Sequence, residues 1–136
     1  VADYAGELTL DEAWARLREE PEAVLVDVRT RAEWTYVGVP DLAGIGKDPR
    51  LVEWISYPDG ATNPDFLAEA TAGLDPAAPI LCLCRSGVRS LAAARALTGA
   101  GFTRAYNITA GFEGDLDAHG HRTTGWRHAG LPWQQS

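Results

Sequence analysis

The stretch that decides the fold is Leu81–Leu97, "LCLCRSGVRSLAAARAL". An apolar run ends on Cys84. A loop of small and basic residues follows, and then an alanine-rich helical pattern begins. A short, uniformly apolar run predicts a strand buried on both faces. If a helix starts a few residues after Cys84, the loop Arg85-Ser86-Gly87-Val88-Arg89 must curl tightly, and Gly87 permits φ > 0 or close backbone approach. Successive N–H groups of such a loop converge with the first N–H groups of the helix into an anion nest. Arg85 and Arg89 add fixed positive charge and forked donors. A thiol in that setting is favoured as the thiolate, and the thiolate is the nucleophile. The competing reading is a glycine-containing strand–helix turn over a buried cysteine. Two arginines within five residues weigh against it.

Outward from this stretch, apolar runs alternate with helical patterns. Thr9-Leu10-Asp11-Glu12 reads as a capping box. Leu10, Ala13, Trp14 and Leu17 then share one helix face. "AVLVDV", Ala23–Val28, predicts a buried strand with Asp27 as its only charge. Arg31–Trp34 predicts a short helical turn, and Gly38–Pro49 a long loop. "LVEWISY", Leu51–Tyr57, predicts a strand that turns at Pro58-Asp59-Gly60. Asn63-Pro64 predicts a capped helix running to about Ala72, with Gly73 past its end. Pro79–Leu83 and Arg104–Ile108 predict two further strands, with a helix between them that ends near Gly99. The tail after Ile108 reads as mostly irregular, with room for one short helix. This alternation predicts an α/β fold with a central parallel sheet and helices on both faces. Ligands of such sheets bind at the carboxyl ends of strands, where Cys84, Asp27 and Arg29 fall.

The 136 residues suit a single domain spanning 1–136, and a 46% hydrophobic fraction is ordinary for a folded core. A net charge of −7 argues against nucleic acid as a partner. No apolar run approaches the roughly 20 residues needed to cross a bilayer, so no membrane association is expected. The first ten residues have no basic and no apolar signal region, so an intact signal peptide is not expected and a cytoplasmic location is. Earlier removal of a signal is left open. Cys82 and Cys84, two apart on a strand, would have Cα atoms about 6.6 Å apart, near the upper limit for a disulfide. Cys82 reads as a small buried hydrophobe. His119, His121 and His128 lie in a glycine-rich, polar tail and read as a solvated loop rather than a metal site. Lys47-Asp48-Pro49-Arg50 reads as an exposed turn. Trp34 and Trp126 are candidates for the pocket mouth that no spacing rule decides. No metal or other cofactor is called for.

The loop "CRSGVRS" after an apolar strand resembles the active-site loop of rhodanese-like sulfurtransferases. "VLVDVRTRAEW", Val24–Trp34, resembles that family's second signature, and the final "GWRHAGLPW" resembles the tail of some bacterial single-domain members. The resemblance implies a single rhodanese-like α/β domain. It also implies a ping-pong reaction in which a cysteine takes sulfane sulfur from a small anionic donor such as thiosulfate. The persulfide then passes that sulfur to a thiophilic acceptor such as cyanide or a thiol, or into a protein sulfur relay. Carried onto this chain, Cys84 is the catalytic sulfur carrier, and the backbone of Arg85, Ser86, Gly87, Val88 and Arg89 cradles the sulfur and the donor's oxygens. Arg85 and Arg89 are the candidate donor-binding cations, and Arg89 is open to a second role of bracing the loop. Asp27, Arg29 and Glu33 match the second signature. Arg29 with Glu33 reads first as a structural ion pair and second as a pocket element. After the glutamate the chain reads "VGVPDLAGIGKDPR", which departs from the glycine–histidine–isoleucine stretch of many members and leaves one pocket wall undefined.

Two rival functions share this fold. Phosphatases and arsenate reductases use a cysteine in an anion loop but need Cys-x5-Arg to wrap three oxygens. Here Arg89 gives Cys-x4-Arg, and the Cys-x5 position is Ser90. Catalytically silent rhodanese-like modules commonly lack the loop cysteine, which this chain keeps.

Overall fold

The computed structural model describes residues 3–56 and 59–135. Its sheet is built from β1 (Gly6–Leu8), β2 (Val24–Asp27), β4 (Arg50–Leu51), β5 (Ile80–Leu83) and β6 (Ala105–Ile108), in the order β1-β6-β5-β2-β4, all parallel. Alternation along the strands sends side chains to two faces. Val26, Val28, Cys82 and Cys84 pack with α3 (Phe66–Thr71) and α4 (Val88–Gly99) through Phe66, Ala70, Ala93, Ala94 and Leu97. Leu25, Leu81 and Leu83 pack on the other face with Ala13 and Leu17 of α1 (Leu10–Glu19) and with Leu42, Phe112 and Trp126. Helices therefore cover both faces, as the alternating pattern predicts. The Thr9–Glu12 capping box is present in both directions.

The element boundaries depart from the sequence reading in several places. β1 is an edge strand of three residues, too short to show a period, and it exists by pairing with β6. Residues 51–56 do not form one strand: Arg50–Leu51 pairs with β2, and beyond it the Val52 and Trp54 N–H groups donate to the Asp27 and Val28 carbonyls without extending the ladder. The Trp54 ring packs edge-on against Phe66, with ring centroids 5.0 Å apart. Tyr57 and Pro58 lie outside the described residues. Asn63 does not cap a helix from Pro64, since α3 starts at Phe66. Its Oδ1 instead accepts from the Asp65 N–H, and its Nδ2 donates to the Glu53 carbonyl. Those bonds close a turn and brace the preceding segment.

The segment 38–49 is not all loop: β3 (Val39–Pro40) pairs antiparallel with β7 (Trp133–Gln134). The tail has turns but no helix among its described residues, and buried Trp126 anchors it by donating Nε1–H to the Pro132 carbonyl. The turn at 47–50 is a brace rather than an exposed feature. Lys47 Nζ donates to the Glu20 and Ala23 carbonyls, and Arg50 donates to those of Ala70 and Ala72. Among the described residues no helix is long and apolar enough to cross a membrane.

Candidate active site

β5 delivers Cys84 to the carboxyl edge of the sheet, and α4 begins four residues later. The loop between them is shaped from below by the segment after β6. Phe112 N–H donates to the Cys84 carbonyl (2.8 Å), and the N–H groups of Glu113 and Gly114 both donate to the Arg85 carbonyl (3.0 Å). This approach needs glycine on both sides. Gly87 has φ +102°, and a Cβ there would come within 2.7 Å of the Thr109 carbonyl oxygen. Gly111 has φ +68°, and a Cβ there would land on the Arg85 carbonyl. Two backbones are thus pressed together where the loop turns.

The curl leaves the N–H groups of Arg85, Ser86, Val88 and Arg89 without a protein acceptor among the described residues. Gly87 N–H points inward and donates to Cys84 Sγ at 3.1 Å. Ser90 Oγ lies 3.2 Å from the same sulfur and 2.5 Å from Asn107 Oδ1. Cys84 is 1% exposed. Cys82 lies on the same face one pleat deeper; both thiols are free, and full burial pushes the Cys82 thiol strongly up.

The ion pairs differ from the sequence expectation. Arg29 does not pair with Glu33. It folds back on Asp27, two residues away on the same strand face, with Nε to Oδ1 at 2.9 Å and Nη2 to Oδ2 at 2.7 Å. Nη2 also donates to the Gly38 carbonyl, and the guanidinium lies 4.2 Å from the Phe112 ring centroid. Both side chains of this pair are fully buried, so neither reaches a pocket. Glu33 faces the other way and holds Arg89 in a bidentate pair at 2.6 and 2.9 Å. It also accepts from Thr30 N–H and Oγ–H, completing a Thr30-x-x-Glu33 capping box on α2 (Arg31–Tyr36). Burial pushes the Glu33 carboxyl up. The Arg89 guanidinium, by hydrogen bond and charge, with the Thr30 N–H, outweighs burial and holds it below its ordinary value.

Arg89 is therefore paired with Glu33, bracing the loop against α2, while its side chain also lines the cavity beside Arg85. Arg85 is exposed and has no carboxylate within ion-pair distance among the described residues. It lines an open cavity of about 530 Å³ with Thr30, Ala32, Glu33, Tyr36, Val37 and Arg89. Ser86 is half-buried, and Val88 points out at 77% exposure. Trp34 lines a separate cavity, with Arg31, Thr35, Val39, Leu51 and Gln134, and Trp126 is fully buried in the core. His119 and His121 sit in a turn whose N–H groups donate to Asp117 Oδ1.

Sequence reasoning missed the supporting segment 109–114 and the Ser90–Asn107 contact. The first had a signal in Gly111 and Gly114, two glycines just past a strand. The second had none, because it joins residues 17 apart on different elements.

The arrangement resembles known proteins over nearly its whole length. The chain is 39% identical to an uncharacterised protein of Rickettsia conorii over 122 residues, 90% of this chain and 91% of that one. It is 35% identical to thiosulfate sulfurtransferase 18 of Arabidopsis thaliana over 88 residues, 64% of this chain and 62% of that one. The crystal structure of Rv0390 from M. tuberculosis superposes with a TM-score of 0.90 at 53% identity, covering 98% of this chain and 99% of that one. The solution structure of a homodimeric polysulfide-sulfur transferase from Wolinella succinogenes superposes with a TM-score of 0.68 at 25% identity, covering 98% and 80%. The fold is that of the rhodanese-like sulfurtransferases. The family that matches is the STR4 middle domain, over residues 5–136, and the chain belongs to it.

Proposed function

We propose that the protein is a sulfurtransferase that carries sulfane sulfur as a persulfide on Cys84. One observation carries the reading: Cys84 Sγ accepts the Gly87 N–H inside a curled loop whose remaining N–H groups and Arg85 are left for an anion. In the first half-reaction the Cys84 thiolate attacks the outer sulfur of a donor such as thiosulfate. The Sγ–S bond forms, the donor's S–S bond breaks, and its electron pair leaves with sulfite. The negative charge ends on the outer sulfur, within reach of the loop N–H groups. In the second half-reaction a thiophile such as cyanide bonds that sulfur, the Sγ–S bond breaks, and the thiolate returns. A low-molecular-weight thiol or a relay protein is an acceptor of the same chemistry.

Arg85 is the donor-binding cation in this reading, because Arg89 and Arg29 are already paired with carboxylates. The Arabidopsis and Wolinella relatives, a thiosulfate sulfurtransferase and a polysulfide-sulfur transferase, support the same reaction class. A phosphatase needs an arginine aimed into the loop at Cys-x5; here that position is buried Ser90, and Arg89 turns to Glu33. We place the reaction in the cytoplasm, where two free thiols persist. Intact mass after incubation with thiosulfate tests the reading. Wild type should gain one sulfur atom and lose it to cyanide, and Cys84→Ser should gain none. A wild-type chain that stays unloaded would remove the proposal.

A further inference from the structure

The hydrogen bonds beneath Cys84 have a polarity that their atoms dictate. Asn107 lies on β6 at 2% exposure, and Ser90 lies in the first turn of α4, fully buried. Asn107 Nδ2–H donates to the Gly87 carbonyl at 3.2 Å. That turns Oδ1 toward Ser90 Oγ, 2.5 Å away, and an amide oxygen can only accept. The Ser90 proton is therefore committed to Asn107. With its own proton on Asn107, Ser90 Oγ can only accept from the Cys84 S–H at 3.2 Å, which fixes the rotamer of the resting thiol before it ionises, and Gly87 N–H donates to the same sulfur at 3.1 Å. Gly87 is gripped on both sides: its N–H holds the sulfur, and its carbonyl is held by Asn107.

We propose that Ser90 and Asn107 are a positioning pair for sulfur transfer. Ser90 orients Cys84 Sγ, and Asn107 holds both Ser90 and the Gly87 peptides in the geometry that receives the transferred sulfur. The proposal rests on Cys84 being the sulfur carrier. The pair is not a proton path, because Asn107 Oδ1 has no proton to pass on. Its effect is alignment of Sγ with the incoming sulfur, which governs the rate of attack within the complex. Neither side chain lines the cavity at Arg85, so donor binding does not depend on them.

Single-turnover loading from thiosulfate tests this on Ser90→Ala, Asn107→Ala and the double variant. Each single change should slow loading at saturating donor by about three- to tenfold, with half-saturation within about twofold of wild type. The double variant should be no slower than the worse single one, since both changes break one circuit. Ser90→Thr keeps the hydroxyl and should recover most of the rate. Thermal melts accompany every variant; if Ser90→Ala is unfolded, Asn107→Asp, which keeps the acceptor for Ser90 but loses the donor to Gly87, carries the comparison and should also load slowly. Labelling of Cys84 by methyl methanethiosulfonate reads the same positioning without a sulfane donor and should slow in parallel. Additive losses, a raised half-saturation at unchanged maximal rate, or unchanged labelling would overturn the pair. If wild type is labelled but never loads, the sulfurtransferase reading has failed, and the labelling series still decides the positioning role.

Discussion

Glu33→Gln separates the two things Arg89 can do, because it moves stability and donor affinity in opposite directions. The pair it breaks joins α2 to α4 across 56 residues of sequence, and its side chains are about a fifth exposed, at 21% and 20%. Breaking a fully buried pair costs about 3–5 kcal/mol. A fully exposed pair contributes about 0–1 kcal/mol. Glutamine keeps one acceptor for Arg89 or Thr30, so the loss falls between, at roughly 2 kcal/mol. For a domain of this size that lowers Tm by about 6–10 °C. The same change releases the Arg89 guanidinium into the cavity it shares with Arg85. A second free cation beside a bound dianion contributes about 1–2 kcal/mol before screening by salt. Half-saturation by thiosulfate should therefore fall about fivefold, and the effect should shrink as ionic strength rises. Thermal unfolding and single-turnover loading over a range of thiosulfate concentrations measure the two effects on one sample. A Glu33→Gln variant that binds thiosulfate more weakly would refute the reasoning, since Arg89 would then serve the donor only while Glu33 holds it. The pH dependence has a definite sign. The folded Glu33 carboxyl titrates below its ordinary value of 4.5, so the pair's contribution is fully present above that pH and is lost as pH falls through the lower folded value. The stability gap between wild type and Glu33→Gln should be constant near neutrality and close under acid conditions.

Arg85→Ala should raise half-saturation for thiosulfate by the loss of one charge-assisted contact, roughly 1.5–3 kcal/mol, and leave transfer from a preformed persulfide to cyanide much less affected; equal losses in both half-reactions would remove Arg85 from donor binding. Arg29→Met should destabilise by about 3–5 kcal/mol in urea titrations by leaving the Asp27 carboxylate buried and alone, and adding Asp27→Asn should restore more than half of the loss; a cost near zero for the single change would show that Asp27 finds another partner. Gly111→Ala forces a Cβ onto the Arg85 carbonyl at φ +68° and should slow sulfur loading more than any other single alanine change in the segment 109–114, whereas wild-type loading would mean the loop keeps its shape without that support.

Local signals carried much of the architecture. The Thr9–Glu12 capping box, the period of α1, the apolar runs of β2, β5 and β6, and Gly87 before α4 all act over a few residues, and the chain obeys them. The same kind of signal was available for two pairings that the sequence reading missed. Asp27 and Arg29 are two apart on a strand and so share a face. Thr30-Arg31-Ala32-Glu33 is a capping box, which turns Glu33 toward the helix start rather than back to Arg29. Over residues 52–56 the expected strand did not form because an apolar, aromatic run satisfies a strand and a packed irregular segment equally well, and here the Trp54 ring packs on Phe66 while its N–H bonds the Val28 carbonyl.

The sequence by itself determined the parallel α/β sheet, the position of Cys84 at a strand end, and the tight glycine-containing loop that follows, because each is set by side-chain period and backbone freedom within about one element. Only the tertiary structure decided that Arg89 meets Glu33 while Arg85 stays unpaired among the described residues, that Ser90 and Asn107 meet beneath the sulfur, and that residues 109–114 support the loop. Those contacts join residues from different elements. Which partners meet is set by strand order, helix rotation and the direction in which each buried polar group finds its partner, and nearby sequence carries at most a hint of this, as Gly111 and Gly114 do for the supporting segment.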